Sequence, residues 1–170
     1  MFRKIIFILL FIDIQSFAQE NHRLTYKDLY AKDDLVYMMS NDSLFSGSIE
    51  HHRWTNDVLL SKDDFKNGYI ILSTNYYNKS KKGIPYIKTY YYEQLYFKKK
   101  KEDKLDFDGN IYTSTYFDEN ENKILVENYS NGKVIYSCEY KDGKKNGKES
   151  CFSKEGTPMI FYYQNGKKIK

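Results

Sequence analysis

Two prolines, two cysteines, one tryptophan and three histidines are all that 170 residues hold of those types. Each scarcity excludes something. Two cysteines allow one bridge at most, so a small fold stapled by several disulfides is ruled out. No Cys/His cluster has zinc-ligand spacing. No run of about 20 apolar residues exists, which excludes a polytopic membrane protein. Arginine is scarce as well: beyond residue 18 only Arg23 and Arg53 occur, and every other basic side chain is lysine. Bidentate recognition of phosphates and base edges favours arginine, so no nucleic-acid partner is expected.

Aromatic residues are abundant instead. They make up 18% of the chain, with 18 Tyr and 11 Phe, against 29% charged residues and a mean hydropathy of −0.74. A chain so aromatic can offset its ordering entropy and is not simply disordered. The length suits one domain.

The first eighteen residues read as a leader. Met1–Ala18 opens on Arg3 and Lys4, continues through the apolar run Ile5–Ile12, and ends on Ser16-Phe17-Ala18. That order predicts a secretory signal peptide over 1–18, cleaved between Ala18 and Gln19, with a single domain over 19–170. Asp13 argues against a membrane anchor. No cysteine stands near the cleavage point, so the product is not expected to be a lipoprotein. The expected location is the periplasm or the extracellular space. Removing the leader leaves 25 basic and 22 acidic residues, a nearly balanced chain.

The second half repeats itself. An aromatic residue, one further residue, Asn or Asp, Gly and Lys recur at Tyr129–Lys133, Tyr140–Lys144 and Tyr163–Lys167. Looser copies carry Gly109 and Gly156, and Phe65-Lys66-Asn67-Gly68 is another. Gly109 and Gly132 lie 23 residues apart, as do Gly143 and Gly166. The predicted unit is a hairpin pair of about 23 residues, because Asn-Gly and Asp-Gly favour tight hairpin turns. Between turns run short segments rich in Tyr, Ile, Val and Thr: 110–117, 123–129, 133–140 and 159–163. Tyr136, Cys138 and Tyr140 alternate with their neighbours, as on a half-buried strand. The fold class predicted is all-β, an elongated antiparallel meander of stacked hairpins. The one helical candidate is a short turn at 26–32.

These phrases, ending in Gly143-Lys-Lys-Asn-Gly147-Lys148, resemble MORN-repeat variants, and more specifically the exported bacterial proteins labelled "toxin–antitoxin system YwqK family antitoxin". The likeness reaches forward to Asp28-Leu29-Tyr30, Val36-Tyr37 and Asn41–Ser48, where Leu44 and Ser46 replace that family's Pro and Thr. The resemblance implies a long sheet of stacked hairpins and no catalytic residues. By its label it implies a protein partner, although a cytosolic toxin would not meet an exported chain.

The pairing of Cys138 and Cys151 depends on the hairpin between them. A loop centred between Lys144 and Lys145 sets the two directly across, close enough for a disulfide. A tight turn on Asn146-Gly147 sets Cys138 against Glu155 instead, and one on Asp142-Gly143 sets it against Gly147. The resemblance favours the symmetric loop, and with it a Cys138–Cys151 bridge in an oxidising compartment.

Candidate chemistry is thin. His51 and His52 are strand neighbours and point to opposite faces, so they are expected at the surface rather than on one metal, and His22 lies near the N-terminus. Asp118–Asn122 looks like the start of a calcium loop, but Lys123 stands where such a loop needs glycine and Tyr129 where it needs glutamate. A polar turn is expected there. The run Lys98–Lys104 is expected as a solvated loop between strands 90–97 and 105–107, with contact to an anionic lipid or polysaccharide as the functional alternative. Ser46, Ser48 and Ser153 lack a nucleophile-elbow setting. No enzyme, metal or cofactor is expected. The predicted function is an exported interaction module whose surface includes Tyr129, Tyr136, Tyr140 and Tyr163 and whose turns rest on Gly109, Gly132, Gly143, Gly156 and Gly166. Its partner is expected to be a protein or an envelope glycan; the alternative is a carbohydrate- or anionic-lipid-binding protein.

Overall fold

Strand follows strand along the chain, and each lies beside the one before it. In the computed structural model, which describes residues 24–77 and 83–169, β1 (Leu29–Lys32) and β2 (Leu35–Met38) form a separate hairpin. The other eleven strands form one sheet in chain order: β3 (Gly47–His52), β4 (Leu59–Lys66), β5 (Tyr69–Tyr76), β6 (Pro85–Tyr91), β7 (Lys99–Leu105), β8 (Ile111–Phe117), β9 (Lys123–Ser130), β10 (Lys133–Lys141), β11 (Lys144–Phe152), β12 (Pro158–Gln164) and β13 (Lys167–Lys168). Every pairing is antiparallel. The all-β hairpin meander is thus the fold. The leader expected at 1–18 and His22 lie outside the described residues. Among those described, no helix is long and apolar enough to cross a membrane.

Two kinds of turn recur between the strands. Asn67-Gly68, Asn131-Gly132, Asp142-Gly143 and Asn165-Gly166 carry positive φ at both central residues, the mark of a type I′ turn that matches strand twist. The other kind is a five-residue loop closed by its first side chain. Asp106 accepts from the backbone N–H of Asp108 (2.9 Å) and Asn110 (2.8 Å), and Asp118 accepts from Asn120 (3.0 Å) and Asn122 (2.8 Å). Ser153 Oγ accepts from Glu155 and Thr157, both at 3.2 Å. In all three the fourth residue, Gly109, Glu121 or Gly156, has positive φ. The 23-residue interval now has a geometric meaning: it steps across one hairpin and returns to the same edge, with Gly109, Gly132 and Gly156 on one edge and Gly143 and Gly166 on the other.

Apolar packing is concentrated at the N-terminal end. Leu29, Val36, Phe45, Ile49, Phe65 and Ile70 form a buried cluster between the β1–β2 hairpin and the first sheet strands. Backbone bonds hold the two together: Val36 N–H donates to Gly68 O (2.9 Å), Gly68 N–H to Phe45 O (2.8 Å) and Phe45 N–H to Val36 O (2.8 Å). A Cβ on Gly68 would lie 3.1 Å from Val36 O and 3.2 Å from Val36 N, so glycine permits this close backbone approach.

Three expectations are corrected. The helical candidate at 26–32 is a single 3-10 turn, Tyr26–Asp28, boxed by Thr25 and Asp28, and the chain is already β1 at Leu29. The lysine run is no loop. Lys99–Leu105 is the interior strand β7, while the chain beyond Tyr91 turns away from strand pairing until Lys99. Lysine is accepted there because its aliphatic stem covers the sheet and its ammonium finds partners on it. The cysteines do not face each other. The β10–β11 hairpin closes at Asp142-Gly143, and a bulge between Cys138 and Tyr140 moves the partner of Cys138 to Glu149. Cys151 pairs with Met159 on β12, and both cysteines are free thiols.

Candidate functional site

Beyond the apolar cluster the sheet has no second layer among the described residues, so its side chains must cover one another. They do so around acids that are buried or half-buried. Glu149 on β11 is 6% exposed, lies opposite Cys138 on one side and Phe161 on the other, and accepts from Tyr136 Oη at 2.8 Å. Lys145 donates to the same carboxylate and rests over the rings of Tyr163 (5.0 Å) and Tyr136 (5.8 Å). Burial alone would raise the Glu149 pKa, yet hydrogen bonds from Lys145, Tyr136 and Tyr163 hold it below the ordinary value. The same contacts act on the donors. Burial and then Glu149 push Tyr136 up, and the bond to Glu149 raises both Tyr163 and Lys145.

The arrangement recurs along the sheet. Glu127 on β9 accepts from Tyr129 (2.6 Å) and Tyr116 (2.9 Å). Asp103 on β7, fully buried, accepts from Ser114 Oγ at 2.5 Å and from Lys101 Nζ at 3.0 Å. Lys101 in turn lies over the rings of Tyr90 and Tyr116. Asp63 on β4 accepts from Ser73 and Tyr26. No glycine phrase points to these acids, so the sequence reading missed them. The available signal was the return of one acid in mid-strand, at Asp103, Glu127 and Glu149, near the period of the turns.

The expected tyrosine surface is only partly assembled. Tyr136, Cys138 and Tyr140 share the face of Glu149, Phe161 and Tyr163, as their register requires. Lys123 and Lys168 lie over Tyr140 (3.8 Å) and Phe161 (3.6 Å). Tyr129 is on the reverse face, because Tyr136 pairs with Asn128 across a bulge and Tyr129 pairs with Val134.

The other candidates have structural employment. His52 sits between Glu50 (3.0 Å) and Asp57 (3.1 Å) at the end of β3. Ser46 Oγ accepts from Asn67 N–H at 2.8 Å, and Ser48 Oγ donates to Asp64 at 2.5 Å. Among the described residues no group of three or more His, Cys, Asp and Glu side chains could hold a metal.

No family model and no curated protein matches the sequence. Among solved structures, part of a point mutant of S. aureus TarM, in complex with Fondaparinux, alpha-GlcNAc-glycerol and UDP, is similar at 9% identity and a TM-score of 0.45, over 71% of this chain and 21% of that one. The GtfA/B complex bound to UDP and GlcNAc is similar at 14% identity and a TM-score of 0.26, over 83% of this chain and 26% of that one. This chain spans about a quarter or less of either, and likeness at these scores carries no argument about function.

Proposed function

We propose that the chain is an exported, non-enzymatic interaction module that offers the Tyr136–Tyr140–Tyr163 face of β10–β12 to a protein partner in the cell envelope. The observation that supports this is the uncovered sheet face itself. Half-buried tyrosine and phenylalanine rings are held in fixed positions by Lys145, Lys123, Lys168 and Glu149, and no element packs over them among the described residues. Rigid aromatic rings with polar tips give contact area at small entropic cost. A photo-crosslinking phenylalanine analogue at Tyr140, expressed in the native host, should give a discrete protein adduct outside the cytoplasm. The same analogue at Ile160, exposed on the reverse face, should not. Equal adducts from both positions, or none from Tyr140, overturns this reading. Cosedimentation with anionic vesicles in place of an adduct moves it to the lipid-binding alternative.

A further inference from the structure

Asn-Gly occurs four times, at 67–68, 131–132, 146–147 and 165–166, and the pair carries chemistry as well as turn geometry. The backbone nitrogen of the glycine can attack the carbonyl carbon of the asparagine side chain, with no Cβ in the way. The attack needs that N–H free of other bonds, and in this respect the four pairs differ. Gly68 is buried, and its N–H donates to Phe45 O at 2.8 Å. Gly166 N–H donates to Lys145 O at 2.8 Å. Gly147 lies within β11, paired with Tyr163 of β12, and Asn146 Oδ1 accepts from Asn165 N–H at 3.1 Å.

Gly132 stands apart. Asn131 and Gly132 are both exposed, and neither the Gly132 N–H nor the Asn131 side chain has a hydrogen-bond partner among the described residues. A Cβ placed on Gly132 would meet nothing within 4 Å, so the turn has open space around it.

We infer that Asn131 is a site of spontaneous deamidation, with water as the only co-reactant. Gly132 N loses its proton and bonds to Asn131 Cγ; the Cγ–Nδ2 bond breaks, and Nδ2 leaves with that proton as ammonia. The product is a cyclic succinimide, and water then opens it at one of its two carbonyls. Opening at the Asn131 main-chain carbonyl leaves the chain running through Cγ, as isoaspartate. Opening at Cγ leaves aspartate. Nothing is oxidised or reduced. Isoaspartate lengthens the main chain inside the turn, between the directly paired Ser130 and Lys133. Among the described strands β10–β13 join the rest of the sheet only through β9, so the lesion falls at their joint. The inference holds whether or not the β10–β12 face has a partner.

The test compares four identical dipeptides in one molecule. The full chain is held folded for days at mildly alkaline pH and digested, and isoaspartate is measured peptide by peptide with isoaspartyl methyltransferase and mass spectrometry. Conversion at Asn131 should run about fivefold or more ahead of Asn67, Asn146 and Asn165, the order set by one net backbone hydrogen bond that must open first. In concentrated urea the four should convert at similar rates. An equal or faster rate at any of the other three in the folded chain, or an intact Asn131 amide while the urea sample converts, overturns the inference. Asn131→Gly leaves a Gly-Gly pair suited to the same turn and should age unchanged. The converted parent should exchange the amides of β10–β12 faster than the fresh parent; matching exchange would overturn the placement of the lesion at the joint.

Discussion

At the scale of the residue, Glu149 ties the stability of this sheet to pH. Glu149 is held below its ordinary pKa in the folded chain. Its carboxylate therefore contributes stability that is fully present above the unfolded value, about 4.3, and is lost as pH falls through the folded value. Glu149→Gln should be less stable than the parent at pH 7, because Lys145 loses its counter-charge. The two should converge as pH drops below about 4, since the variant lacks that titration. Urea midpoints measured between neutral and acidic pH check this, and parallel curves would show that Glu149 does not titrate as the hydrogen bonds require. Tyr136 has the opposite sign: its raised pKa favours the neutral phenol, so its contribution is complete below about pH 10 and fades above.

At the scale of the element, a hairpin is only as firm as its turn. Gly143 has φ +74°, and a Cβ added there would meet nothing within 4 Å, so backbone conformation alone restricts the position. Gly143→Val should cost about 1–2 kcal/mol, the order of the left-handed penalty for an L-residue. Lys144→Ala, exposed one residue on, should stay within about 0.5 kcal/mol. Chemical denaturation of both variants decides it; equal midpoints would place the strain elsewhere. This is also the scale at which the sequence is most readable. Asn-Gly and Asp-Gly mark their own turns, and β8, β9, β10 and β12 fall where those turns and the Tyr-rich segments predict, whereas β11 begins at Lys144, inside the loop that the resemblance favoured. The lysines of β7 hide a strand because a sheet without a second layer needs no apolar stripe. Pairing of the cysteines was illegible for another reason. The register depends on an irregularity that places two extra residues in β11 around Gly147, opposite Glu139, and in the sequence Asn146-Gly147 reads equally well as a tight turn. The acids stayed hidden too, since their partners come from the strands beside them.

At the scale of the whole molecule, cohesion is uneven. Each sheet strand is hydrogen-bonded only to its neighbours in sequence, so stability is close to a sum of adjacent pairings, as in repeat proteins. The apolar cluster around Phe45, Ile49, Phe65 and Ile70 adds to the first strands, while β12 is flanked by a two-residue strand. Amide exchange should therefore be slowest in β3–β5 and quickest in β12–β13, with a graded rather than all-or-none profile. Uniform protection across the sheet would show a single cooperative unit.

The identity of chain order and strand order bears on how the sheet can assemble. Residues 24–70 hold the apolar cluster, and each later hairpin can dock on an edge already in place. No strand waits for a partner encoded far downstream, and every segment arrives beside its template. Assembly then resembles the growth of a one-dimensional crystal from a seed, in which a chain shortened by its last hairpins should still form a smaller sheet with one open edge.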